Sequence, residues 1–222
     1  MAYVIGVVSQ KGGVGKSTIA RLLATEFARM DGESWDVKIA DMDVSQGTSF
    51  QWMQSRVRAG LSPEIRVESY QRLEKATAEA DSFEVMILDG APHATAQTHE
   101  IGKASDLVVL PTGCALDDLV PSVKLAHELR KAGVPASRMI FVLTRTGDSK
   151  AEIAEARTYL TEAGYQVADG SLPERTAFRR ASDLGYSVAE TTFPSLNEAT
   201  RALFSRLIAP LQSEQSNETR AA

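Results

Sequence analysis

One stretch near the start of the chain limits what the rest can fold into: Gln10-Lys11-Gly12-Gly13-Val14-Gly15-Lys16-Ser17-Thr18. An apolar run, Tyr3-Val4-Ile5-Gly6-Val7-Val8, precedes it, and a helical pattern from Ile19 to Met30 follows. Strand, glycine-rich turn and helix are the setting in which a phosphate-binding loop works. Glycines let successive backbone N–H groups converge on one anion. The N-terminus of the next helix adds partial positive charge. Gly12, Gly13, Val14, Gly15 and Thr18 are therefore read as the cradle, with Lys16 reaching the β- and γ-phosphates. The Ser17 hydroxyl suits Mg²⁺.

Short apolar runs alternate with longer helical patterns along the remainder. The strands expected are Tyr3–Val8, Val37–Ala40, Ile65–Glu68, Val85–Leu88, Leu107–Leu110, Met139–Leu143 and Tyr165–Val167. The helices expected are Gly15–Met30, Thr48–Ala59, Tyr70–Ala80, Leu119–Lys131, Lys150–Ala163, Thr176–Leu184 and Leu196–Leu211. Val-, Ile- and Leu-rich strands with little alternation suit a parallel sheet covered on both faces. The expected fold is α/β: a doubly wound, mostly parallel sheet with helices on both faces and the site at the strands' C-terminal ends.

The chain has 222 residues, 43% hydrophobic and 24% charged, which fits one globular domain over residues 1–212. A polar tail at 213–222 is expected to fray. The net charge of −5 argues against a protein that is basic overall, though not against a local basic face. The single cysteine, Cys114, excludes an intrachain disulfide or a cysteine-ligated cluster and fits a reducing cytosol. No signal peptide or membrane span is visible, so a cytoplasmic chain without a membrane partner is expected. His93, His99 and His127 show no ligand spacing and read as surface or loop residues.

Two further motifs carry acid. Val85-Met86-Ile87-Leu88-Asp89-Gly90 is an apolar strand ending in a carboxylate, the Walker B arrangement that holds Mg²⁺ directly or through water. Lys38-Ile39-Ala40-Asp41-Met42-Asp43 places two carboxylates after the second strand.

Lys11 is one lysine more than an ordinary phosphate loop needs. The run Lys-Gly-Gly-Val-Gly-Lys-Ser-Thr resembles the deviant Walker A motif of the ParA/MinD ATPases. That resemblance implies ATP/ADP and Mg²⁺ as ligands and a homodimer formed with ATP, in which Lys11 reaches the partner's nucleotide. It also implies that Asp41 holds Mg²⁺-bound water and that Asp43 orients the attacking water. The family commonly reads Asp-x-Asp-Pro-Gln-Gly here; this chain lacks the proline and carries one extra residue before Gly47. Thr144 and Arg145 after one strand, with Leu172, Pro173 and Glu174 later, resemble segments that flank the adenine base. Leu110-Pro111-Thr112 with Asp117-Asp118-Leu119 resembles a loop at the family's dimer interface.

Arg175, Arg179, Arg180, Arg201 and Arg206 sit where ParA-type proteins carry basic residues for DNA binding without sequence preference. A solvated helix face with local ion pairs is the bland reading for any one of them. By resemblance the chain is a small ParA-type partition ATPase, nucleoid-associated, stimulated by a ParB-like centromere-binding partner to segregate plasmid or chromosome DNA. The chain starts almost at its first strand, so an N-terminal helix-turn-helix for operator reading is not expected. Three rivals remain: an ATPase positioning a secretion, conjugation or chemotaxis complex; a MinD-like membrane-cycling ATPase; and an ATP-using synthetase of the same fold. The MinD-like reading needs a basic amphipathic C-terminal helix, which the tail does not supply.

Overall fold

The computed structural model describes residues 2–30, 35–92 and 96–221, with side chains described as far as Gln212. His93 lies outside the described residues. Seven strands form one sheet: β1 (Tyr3–Val7), β2 (Val37–Asp41), β3 (Arg66–Ser69), β4 (Val85–Asp89), β5 (Leu107–Thr112), β6 (Met139–Thr146) and β7 (Gln166–Pro173). Their order is β3-β2-β4-β1-β5-β6-β7, and every pairing is parallel. The helices are α1 (Lys16–Phe27), α2 (Thr48–Arg58), α3 (Leu73–Thr77), α4 (Ala96–Ala104), α5 (Leu116–Lys131), α6 (Lys150–Glu162), α7 (Thr176–Asp183) and α8 (Pro194–Ala221).

The central strands are apolar on both faces because both faces are covered. Ile5, Val7, Ile39, Val85, Ile87, Val109, Ile140 and Val142 pack into one core with residues of α1, α7 and α8. Their neighbours Val8, Ala40, Met86, Leu88, Val108, Phe141 and Leu143 pack into the other, with residues of α3, α4, α5 and α6. Side chains alternate across a strand, so a strand buried on both sides needs no polar residues between the apolar ones. This arrangement leaves the strands' C-terminal ends as the place where loops gather.

The register there is decisive. Val7 lies beside Asp89, and Asp89 lies beside Asp41. The glycine loop leaves β1 directly after Val7. Chain order reverses around β1, with β4 on one side and β5 on the other, which opens the crevice where doubly wound sheets bind ligands.

Several elements differ from the sequence expectation. Helix α4 falls in a stretch assigned no element; its only large apolar residue is Ile101, too little for a period to be seen. Helix α3 is shorter than Tyr70–Ala80 because Tyr70 still hydrogen-bonds through its N–H to Asp41 O at 3.0 Å, prolonging the line of β3. Strand β7 runs well beyond Val167, through two register shifts against β6. The backbone of α8 continues to Ala221, through most of the polar tail expected to fray.

One tight approach ties α2 to the turn after α7. Gly185 has φ +84°, and a Cβ there would lie 2.3 Å from Arg56 N and 2.5 Å from its Cα. Both contacts are with backbone and cannot relax by side-chain rotation. Gly185→Ala is therefore expected to destabilise the fold by about 2–3 kcal/mol and lower the melting temperature by about 5–10 °C. Thermal unfolding followed by circular dichroism checks this, and an unchanged midpoint refutes the contact.

Candidate active site

The glycine loop is held before any ligand arrives. Gly15 caps α1 with φ +90°, a conformation that favours glycine. The buried Thr144 hydroxyl, at the end of β6, donates to Val14 O at 2.6 Å and also lies 3.2 Å from Thr112 O on β5. Arg145 donates through Nη1 to Gly13 O at 3.1 Å and through Nε to Glu174 at 3.0 Å. Its φ of +53° is an uncommon value for a residue with a side chain, and it falls at the β6–β7 register shift. That bulge turns the guanidinium toward the loop while Thr144 stays inside.

A cleft of about 260 Å³ opens over the loop, lined by Gly12, Gly13, Gly15, Lys16, Ser17 and Thr18, with Asp43 and Gln46 at its far side. A second cavity, of about 520 Å³, shares Gly13, Gly15 and Thr18 with it. Thr144, Arg145, Leu172, Pro173 and Glu174 all line this second space.

The acidic side chains converge beneath the cleft. Asp41 is fully buried; its Oδ1 accepts from Asp43 N at 3.1 Å, and its Oδ2 from Ser49 N at 3.1 Å and Phe50 N at 3.3 Å. It thereby satisfies first-turn donors of α2, whose N-terminal dipole favours a negative charge. Burial raises its pKa, opposed by those three N–H groups. Asp89 accepts at Oδ2 from the Ser49 hydroxyl at 2.7 Å. Burial pushes Asp89 up to about 6, with Ser49, Ser17 and Arg21 pulling it down and Asp41 pushing it further up. Lys16 is lowered by burial against the pull of Asp89 and Asp43, and it donates to Lys11 O at 3.1 Å.

The donor set fits Mg²⁺. The Asp89 Oδ1 atom is buried without a hydrogen-bond partner, and the Ser17 hydroxyl lies 3.1 Å from that of Thr48. Hard oxygen donors of this kind, with room for water, are what that ion requires. Ser17, Asp41 and Asp89 are the residues that would hold it or its waters. Bound there, it would neutralise charge on the phosphates; the chain itself contributes Lys16 and the loop N–H groups.

The departure in the second acidic motif is absorbed by a turn. Gln46 N and Gly47 N both donate to Asp43 O, and Gln46 N and the Ser45 hydroxyl donate to Asp43 Oδ1. The longer loop thus still pins the Asp43 side chain at the cleft.

Lys11 takes a position that the sequence did not specify. Its Nζ pairs with Asp118 Oδ1 of the same subunit at 2.8 Å, with the two side chains 37% and 28% exposed. An ion pair so accessible contributes only about 0–1 kcal/mol, so the lysine can be withdrawn at little cost. Leu116 and Val120, on the same helix start, are exposed. Cys114, nearby, is half-buried, and burial pushes its thiol up, away from reactivity.

Four of the five arginines read as a basic face are paired with acids. Arg175 pairs with Asp148 at 2.6 Å, and Arg179 pairs with Glu174. Arg201 pairs with Glu26 of α1 at 3.4 Å, and Arg206 with Asp169 of β7 at 3.6 Å. Arg180 is exposed and has no ion pair among the described residues. No group of three or more metal-ligating side chains of the histidine, cysteine or acidic type occurs among the described residues, and His127 Nδ1 instead meets the Tyr165 hydroxyl at 2.6 Å.

Sequence reasoning passed over Arg21 and Thr48, which line the cleft, and the buried Ser49 that bonds Asp89. Arg21 was legible in part, lying one helical turn after Ser17 on the same face.

The family model for the CobQ/CobB/MinD/ParA nucleotide-binding domain matches residues 5–188. The chain belongs to this family. Among curated proteins, it is 27% identical over 199 residues to the maintenance of carboxysome distribution protein A of Gloeobacter kilaueensis, covering 88% of each chain. Among solved structures, the cell-division protein MinD of Pyrococcus horikoshii, complexed with Mg-ADP, superposes with a TM-score of 0.74 at 18% identity, over 94% of this chain and 97% of that one. Apo McdA of Cyanothece gives a TM-score of 0.71 at 15% identity, over 93% and 100%. These structural likenesses concern the fold. Membership of the family makes nucleotide the ligand of the cleft, and the oxygen donors beneath it make Mg²⁺ its companion.

Asp89→Asn keeps the shape of the site and removes a negative charge. Affinity for a fluorescent ADP in EDTA is expected to stay within about twofold, while the gain on adding Mg²⁺ falls about tenfold or more. An equal loss in both conditions would remove Asp89 from the metal set.

Proposed function

We propose that this chain is an ATP-switched positioning ATPase whose cargo is a protein assembly. The observation that carries the cargo assignment is the 27% identity to a carboxysome distribution protein over 88% of both chains. The cargo class is therefore a large protein body, distributed by a protein that cycles between dimer and monomer. Plasmid or chromosome segregation with a ParB-like partner, the reading to which the sequence resemblance first led, is the second one. It shares the same switch and differs in what is carried.

In either case ATP closes two subunits face to face, Lys11 leaves Asp118 for the partner's nucleotide, and the dimer holds DNA without regard to sequence. The half-exposed Lys11–Asp118 pair and the exposed Leu116 and Val120 beside it support this face as the one that closes. Asp43 orients the attacking water, and hydrolysis, stimulated by a cargo-bound partner, ends the cycle. Lys16 and the loop N–H groups stabilise the charge that develops on the transferred phosphoryl group.

A DNA-binding titration with ATP, ADP and no nucleotide tests the switch. The wild type is expected to retain DNA with ATP only, and Lys11→Ala to lose it in all three states. DNA retention by Lys11→Ala with ATP would overturn the gating. Asp43→Ala is expected to keep ATP and DNA binding and lose phosphate release by about 100-fold or more, since it acts on positioning rather than on affinity. Equal loss of binding and turnover refutes its role.

The basic face is testable separately. Four of the five arginines would have to exchange an acidic partner for a phosphate, and Arg180, with no ion pair among the described residues, is the simplest single test. Arg180→Ala is expected to flatten the dependence of log K on log salt by about 2 per dimer, one phosphate contact per subunit. An unchanged slope would move the DNA contact elsewhere. Pull-down with candidate cargo components, against a plasmid-loss assay, separates the two cargo readings.

A further inference from the structure

Arg21 is a buried cation with no carboxylate within ion-pair distance among the described residues, and it lines the phosphate cleft. It is 8% exposed. Its Nη1 donates to Ser182 Oγ of α7 at 2.9 Å, and its Nε reaches Ser49 Oγ of α2 at 3.4 Å. Its guanidinium stands over the Trp52 ring, 5.5 Å from the centroid. A buried cation without a directly paired carboxylate is costly, so a residue kept in this state needs a reason.

The direction of the hydrogen bonds gives one. A serine hydroxyl has one proton, and Ser49 gives its proton to Asp89 Oδ2 at 2.7 Å. Ser49 can then only accept from Arg21. A hydroxyl that accepts from a cation donates more strongly to an anion, because bonds in a chain polarise one another. The backbone N–H of the same Ser49 is committed to Asp41 at 3.1 Å. One residue therefore sets both buried carboxylates, and Arg21 sets that residue. The carboxylate of Asp89 is left with Oδ2 occupied and Oδ1 open.

We propose that Arg21 is a positioning residue for the metal side of this site: acting through Ser49, it fixes the rotation of the Asp89 carboxylate so that Oδ1 is kept for Mg²⁺ or its water. The far anchor at Ser182 holds the guanidinium still, and Trp52 covers its face. This rests on the Mg-nucleotide reading of the cleft. Arg21 touches neither the nucleotide nor the reacting atoms in this role.

The test uses the full chain and a fluorescent ADP at fixed concentration. Mg²⁺ is titrated, and the nucleotide affinity in EDTA and the melting temperature are measured in parallel. Arg21→Gln is expected to raise the half-saturating Mg²⁺ about tenfold, with the affinity in EDTA changed less than about twofold. Ser49→Ala should give a similar shift, and the double variant no further one, because the two act in series. Additive shifts, an unchanged Mg²⁺ requirement, or an equal loss in EDTA and Mg²⁺ would each overturn the proposal; the last would make Arg21 a phosphate ligand or a brace. If Arg21→Gln does not fold, Ser182→Ala removes only the far anchor. It is expected to shift the Mg²⁺ requirement about two- to fivefold, and no shift overturns the proposal. A wild-type chain whose ADP affinity ignores Mg²⁺ overturns the nucleotide reading itself.

Discussion

Two carboxylates buried side by side constrain everything around them. Asp41 and Asp89 end adjacent parallel strands in the same register. Both are buried, and like charges in that position repel. The surroundings read as the response. The first turn of α2 turns its N–H groups onto Asp41, Ser49 bonds Asp89, and Lys16 and Arg21 supply positive charge. One oxygen of Asp89 is left without a partner. A divalent ion is the natural completion of such a pair, and the phosphate cradle lies directly above.

A second buried polar centre anchors the same helix from its other end. Arg56, 1% exposed, forms paired contacts with Glu190 at 2.8 and 3.0 Å and donates to Gly185 O at 3.1 Å. Arg29 joins the same carboxylate. Burial alone would raise Glu190, but Arg56, the Ser187 N–H and Arg29 together bring it down. Trp52 lies between Arg21 and Arg56, with its indole N–H donating to Tyr186 O at 3.0 Å. Helix α2 therefore links the acidic floor of the cleft to the turn after α7 through polar contacts in low dielectric, which are stiff.

How much was legible in the sequence depended on whether a residue's role is local. The phosphate loop was legible because its chemistry needs glycines and a lysine at fixed offsets, and strand and helix flank it. Asp89 was legible as acid ending an apolar strand in a chain that also carries a phosphate loop, whereas Asp41 and Asp43 came from resemblance to the family's second acidic motif. The base-side residues came only from resemblance, yet they line one cavity, since the β6 bulge and the extended β7 bring them together. What stayed hidden was relational. Nothing in the sequence couples Lys11 to Asp118, or Arg21 to Ser49 and Ser182, because those pairs depend on which strands are neighbours. Helix α4 stayed hidden for a different reason, its sparse apolar content. The arginines were legible as charges but not as partners, and four of them turned out to be paired with acids on their own subunit.

The Thr144 hydroxyl, bonded to Val14 O and close to Thr112 O, staples the glycine loop to the C-terminal ends of β6 and β5. A cradle made rigid in advance loses little freedom on filling, so it grips firmly. It also grips indiscriminately. Diphosphate and triphosphate would meet the same ring of amides. Any response that separates the two nucleotides then falls to groups outside the ring.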